Sequence, residues 1–210
     1  MEIQAGGGLL RSMFGPSKAQ VWQQLSQQVH GQYLDGGWMA KDKVVARSGP
    51  WTITLDTYTV STGKSSITYT RLRAPYVNPD NFRFLICRSS IFTPLAEMLG
   101  ITDVAIGDPV FDKDFVTKSA DPAKLKSLLA DAELRGLLMQ QPKIRLEVRD
   151  SEGWFGASFP PDVDELCFTA IGVIKDLQLL KGLYDLFGRT LHLLCQLGSA
   201  YERDPDVTLK

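Results

Sequence analysis

Two histidines and three cysteines in 210 residues, with a formal net charge of only −1, are what this sequence is short of. A metal centre needs three or four convergent ligands, and with so few imidazoles and no Cys-x-x-Cys pair the sequence predicts no metal and no other cofactor. Cys87, Cys167 and Cys195 are odd in number and set among Leu, Ile and Phe, which predicts reduced core thiols and not a disulfide frame. Lys and Arg (23) nearly balance Asp and Glu (24), so the electrostatic footprint of a nucleic-acid binder is missing. Long apolar runs are missing too. The longest, Leu166 to Ile174, falls far below the roughly 20 residues that cross a bilayer and contains a Thr and a Gly. The stretch Met1 to Pro16 lacks the charged start and continuous apolar core of a secretory signal, which predicts a cytoplasmic protein.

What is present is ordinary globular composition, 44% hydrophobic and 22% charged. Residues 1–105 carry ten basic and seven acidic side chains and residues 106–210 carry thirteen and seventeen, a mild asymmetry compatible with a solvated surface. After a flexible segment to residue 16, Val21, Trp22, Leu25, Val29 and Tyr33 recur at helical spacing, predicting a helix from Ser17 to Leu34. Alternation through Trp51, Ile53 and Leu55 and again from Ile67 to Arg73, across Ser61-Thr62-Gly63-Lys64, predicts a β-hairpin. Ala74 to Asn81, with two prolines, reads as a loop, Phe82 to Arg88 as a third strand, and Ile91 to Leu99 as a short helix.

The Gly107-Asp108-Pro109 stretch reads as a boundary between two halves, 17–106 and 107–200, before a short tail from 201. Asp121-Pro122 opens a helical region carrying Leu125, Leu128, Leu129, Leu134, Leu137 and Leu138. Ile144, Leu146 and Val148 alternate with Arg145, Glu147 and Arg149 as a half-buried strand, and a last strand follows at about Asp164 to Ile171. Each half then has the outline helix, three antiparallel strands, helix, which suggests a pseudo-repeat. The final helix, Val173 to Leu197, has an apolar arc wider than one sheet contact needs.

Few motifs carry chemistry. Gly63-Lys64-Ser65 ends like a phosphate loop, but Tyr58 stands where the first Gly is required and a strand follows, so it is a hairpin turn. Asp112 with Asp114, and Asp162 with Asp164 and Glu165, lack the Gly and terminal Glu of a calcium loop and read as solvated charge. Cys167 with His192 is the first pair to consider for nucleophilic catalysis, although sequence does not show them to be close. Tyr69, Arg71 and Arg73 share a strand face, and with Arg83 and Arg88 nearby they form a candidate anion-binding set, Arg being suited to bidentate contacts with carboxylate or phosphate. Leu177, Leu180, Tyr184, Phe187 and Leu191 on the last helix form a candidate interface for self-association or a protein partner.

Phe111, Phe115, Ser119 and Asp121 fall in the pattern F-x-x-x-F-x-V-x-S-x-D, with Thr117 in place of Val. Over about residues 108–150 the chain thereby resembles a family of bacterial domains of unknown function. The resemblance implies a bacterial α+β domain and brings no catalytic residue with it. In element order alone, the chain is also similar to helix-and-sheet binding domains of the secretion-chaperone kind.

The reading that follows is an α+β protein, with antiparallel meanders packed by helices and closed by the long C-terminal helix. Its leading function is a protein-binding or scaffolding module, dimeric through that helix. The alternative is a small enzyme or anionic-ligand sensor with a pocket between sheet and helices. The balance leans against an enzyme.

Overall fold

The computed structural model describes residues 15–37, 41–61, 63–92, 101–152 and 158–209. They form an α+β fold built on one antiparallel sheet of nine strands. In chain order the elements are α1 (Lys18–Gln28), β1 (Gln32–Leu34), β2 (Lys43–Ser48), β3 (Trp51–Ser61), β4 (Ser66–Val77), β5 (Phe84–Arg88), β6 (Thr102–Asp103), α2 (Pro109–Asp114), β7 (Phe115–Ser119), α3 (Pro122–Leu129), α4 (Ala132–Met139), β8 (Arg145–Arg149), β9 (Val163–Ile171) and α5 (Leu177–Gln196). The strands lie in the order β1-β2-β3-β4-β9-β8-β5-β7-β6.

Register assigns every strand residue to one of two faces, because side chains alternate along a strand. Val44, Leu55, Leu72, Phe168, Leu146, Ile86 and Thr117 stand side by side across seven strands. This row belongs to the face that the helices cover, and its apolar members join Trp22, Leu25, Leu128, Leu134, Leu183 and Phe187 in one core. Among the described residues no helix lies on the opposite face, whose corresponding row is Asp56, Arg71, Thr169, Arg145, Cys87 and Val116.

Local chemistry fixes the helix ends. Ser17 and Gln20 form a reciprocal capping box on α1, and Asp108, Asp121, Asp131 and Asp176 cap α2 to α5 through backbone amides. Helix α1 is shorter than its periodicity predicts. His30 turns to φ +50°, and Gly31 passes so close to β2 that a Cβ there would lie 2.5 Å from the Val45 carbonyl oxygen, after which the chain joins the sheet as β1.

The two-proline segment expected to be a loop continues β4 to Val77. Pro75 is tolerated because the ladder to β3 ends at Thr54–Arg73, so that at Pro75 the strand pairs only with β9. Asp108, read as part of a boundary, caps the short helix α2, and the helical region after it is two helices separated at Asp131. Strand β5 of the first half lies between β8 and β7 of the second. Most of the expected helix from Ile91 to Leu99 lies outside the described residues, with a single 3-10 turn at Ser89–Ile91 before it.

Helix α5 accounts for its wide apolar arc within the fold. Leu180, Leu183, Leu186, Phe187, Leu191 and Leu194 are fully buried. The Tyr184 hydroxyl donates to the Val44 carbonyl at 3.1 Å, and on α1 the Trp22 indole donates to the Ile174 carbonyl at 3.2 Å. A fully buried Leu or Phe contributes about 1.5–3 kcal/mol relative to exposure, so this arc cannot turn outward without losing the fold.

Candidate functional site

The open face of the sheet is densely charged near its centre. Arg71 grips both oxygens of Asp56, at 2.9 and 2.8 Å, and Arg73 reaches the same carboxylate at 2.9 Å and Glu152 at 3.0 Å. On β8, Glu147 is shared by Arg145, at 2.7 Å, and Arg149, whose Nε lies at 2.7 Å. Between these groups on β9 stand Cys167 and Glu165, both without solvent exposure. Among the described residues neither Glu165 carboxylate oxygen has a hydrogen-bond partner.

Burial and neighbouring charge set the protonation of these groups. Burial pushes Glu165 up to about 7, with Arg73, Arg149 and Arg71 opposing it incompletely. For Glu147 burial also acts upward, but Arg149 and Arg145 outweigh it and hold the carboxyl below its ordinary value. Burial pushes the Cys167 thiol up to about 12 and raises Cys87 as well. Burial lowers the proton affinity of Arg71, and its bond to Asp56 reverses that and leaves it raised.

Beside this network a cavity of about 570 Å³ opens on the same face. One wall is apolar. Tyr58 and Tyr69 stack with ring centroids 5.0 Å apart, Ile171 stands beside Tyr69 in register, and Val60 continues the wall toward the hairpin tip. The Arg71 guanidinium lies 5.0 Å from the Tyr58 ring centroid and holds that wall to the charged network. Thr169, Ala170, Cys87 and Ile91 also line the space, and the remaining wall is Lys143, Arg145 and Arg149 from β8 and the turn before it. Every charged side chain among these lining residues is a cation.

Two other clefts lack this character. One of about 530 Å³ between α5 and β2 mixes His30, Arg47, Lys181 and Arg189 with Glu133 and Asp185. The other, also about 530 Å³, lies where the tail around Asp204 crosses β2 and β3, with Thr52 donating to Asp204 at 2.7 Å.

Of the anion-binding set expected from sequence, Tyr69, Arg71 and Arg73 do share the open face of β4. Tyr69 lines the cavity, whereas Arg71 and Arg73 are occupied by carboxylates, and Arg73 is fully buried. Arg83 is apart from them, pairing with Asp150 at 2.8 Å and Asp164 at 3.5 Å. Arg88 bonds Asp114 and lies over the Phe115 ring. The expected interface residues Leu180, Tyr184, Phe187 and Leu191 are in the core, and Leu177 packs at its margin. Asp164 and Glu165, expected as solvated charge, are buried.

Cys167 faces the open side of the sheet while α5 packs on the other. His192 is exposed there and bonded to Gln196, so the sheet separates that pair. Among the described residues no cluster of His, Cys, Asp and Glu could hold a metal ion, and no helix is long and apolar enough to cross a membrane.

The residues behind the family resemblance are structural. Phe111 and Phe115 stack at 4.3 Å, Thr117 bonds the Val104 carbonyl, Ser119 donates to the Arg83 carbonyl, and Asp121 caps α3. Sequence reasoning missed Tyr58, Lys143, Arg145, Arg149 and Thr169 as cavity residues. Their alternation was visible, but which strands adjoin was not.

No family model matches the chain, and no curated protein is similar to it. Among solved structures, the crystal structure of the mycobacterial trehalose monomycolate transport factor A, TtfA, is similar over 84% of this chain and 94% of that chain, with 11% identity and a TM-score of 0.49. A likeness at that level carries no argument about this chain.

Proposed function

We propose that this chain is a binding module that performs no chemistry of its own and holds its ligand in the cavity on the open face of the sheet. The observation that carries this reading is the cavity itself, about 570 Å³, with an apolar wall on one side and only cations on the other. That volume is in the range of small-molecule sites, and its few charged groups would orient an occupant. The thiols near it favour holding over reacting, since Cys87 and Cys167 are both pushed away from the thiolate form.

One observation favours a second reading, a small enzyme: the Glu165 carboxyl near 7 could act as an acid or base. Its complete burial, outside the cavity lining, weighs against that role.

The test is to incubate the protein with a metabolite and lipid extract of its native cells, re-isolate it, and identify retained species by mass spectrometry. Thr169→Phe, which fills the cavity floor, is carried in parallel, and thermal unfolding confirms its fold. At least one species retained by the wild type and lost from the variant is the expected result. Identical retained sets would overturn the reading.

A further inference from the structure

The two walls of the cavity belong to strands a fixed distance apart. Tyr69 is on β4 and Arg145 on β8, with β9 between them, so two strand spacings, about 10 Å, separate apolar wall from cationic wall. An occupant must therefore carry its apolar part and its charge at different ends.

The cationic wall is undercompensated. Arg145 and Arg149 share the single carboxylate of Glu147, and Lys143 is exposed with no ion pair among the described residues. This suits one anionic group. The apolar wall runs on past the cavity to Ile67, the partner of Val60 in register, and Val60, Ile67 and Ile171 on this face are 44%, 37% and 60% exposed. Exposed aliphatic side chains adjoining in register mark a contact surface. A polyanion or a sugar would leave polar groups unmatched against that wall.

We propose that the cavity binds an amphiphile with one anionic headgroup, a carboxylate or a phosphate ester, which sits on Lys143 and Arg145 while the hydrocarbon lies along Tyr58, Tyr69 and Ile171. This rests on the binding reading above and adds the ligand's chemistry to it. The headgroup is drawn by charge that is partly shielded from water, and the chain is drawn by burial of its apolar surface.

The experiment measures binding of decanoate and decyl phosphate by calorimetry, each below its micelle concentration, against neutral 1-decanol, acetate and inorganic phosphate. One decanoate or decyl phosphate per chain, bound at least about tenfold more tightly than decanol, is expected, with acetate and inorganic phosphate not competing. Lys143→Glu should lower affinity for both anionic amphiphiles about tenfold or more and leave decanol unchanged. Ile171→Asp, at an exposed position, should weaken all three.

Equal affinity for decanol and decanoate, or anion affinity unchanged in Lys143→Glu, would overturn the proposal. Binding to vesicles of anionic phospholipid without binding of either monomeric amphiphile would also overturn it, since that is surface adsorption and not occupancy of the cavity. If no amphiphile binds while a species from the native extract is still lost in Thr169→Phe, the ligand class is wrong and the binding reading stands. If that loss is missing as well, both fall.

Discussion

Arg73 and Asp56 form an ion pair at 2.9 Å in which the guanidinium is wholly removed from water. Asp56, on β3, also holds Arg71 through both its oxygens, so one carboxylate serves two arginines of the neighbouring strand β4. Removing one partner of such a buried set leaves uncompensated charge. Asp56→Asn should lower unfolding stability by about 3–5 kcal/mol in urea titrations. Lys118→Gln, which breaks the pair with the mostly exposed Asp103, should cost less than about 1 kcal/mol.

Glu165 makes stability fall with rising pH. Its folded value of about 7 lies above the ordinary 4.5, so between those limits the native state holds a proton that the unfolded chain has released. The stabilisation from protonated Glu165 is fully present below about 4.5, declines through the window, and is lost above about 7. Its size is on the order of 3 kcal/mol. Glu165→Gln removes the titration, and chemical denaturation from pH 5 to 8 should give a flatter profile than wild type. An identical slope would refute this account of Glu165.

Two glycines that look alike in sequence should respond differently to alanine. At Gly31 a Cβ would meet the backbone oxygen of Val45 at 2.5 Å and the Ala46 Cβ at 2.7 Å, neither of which can move alone. Gly31→Ala should cost about 1–3 kcal/mol. At Gly188, inside α5, the obstacle is only the Ser48 hydroxyl, a group free to rotate. Gly188→Ala should be near neutral in thermal unfolding. Combined with Ser48→Ala it should gain up to about 1 kcal/mol from helix propensity.

The three thiols should react in a set order. Cys195 is half-buried, whereas Cys87 and Cys167 are buried and Cys167 is pushed up to about 12. With a thiol reagent at pH 7.5 in native buffer, mass spectrometry should find Cys195 labelled first and Cys167 labelled only on unfolding. Early labelling of Cys167 would contradict the burial of the charged network.

Local signals made much of the fold legible. Ser17, Asp121-Pro122 and the alternation from Ile144 to Arg149 each act within a few residues, and α1, α3 and β8 begin or lie where those signals fall. The candidate site was legible only in part. Tyr69, Arg71 and Arg73 were visible as one strand face, but their carboxylate partners come from Asp56 and from Glu152, 79 residues away from Arg73. Cross-strand register between β4, β9 and β8 decides which cations remain available, and no spacing within a strand encodes it. The apolar arc of α5 was read correctly as wide, but width alone did not reveal that α1, α4 and β2 all pack against it.

The central claim, that the open-face cavity is where this protein binds, is tested most directly by isoleucine-methyl NMR during titration with decyl phosphate. Ile91 and Ile171 line the cavity, whereas Ile53 and Ile144 are buried on the helix-covered side. Saturable shifts at Ile91 and Ile171, with Ile53 and Ile144 nearly unmoved, are the predicted result. Saturable shifts at Ile53 and Ile144 that leave Ile91 and Ile171 in place would contradict it.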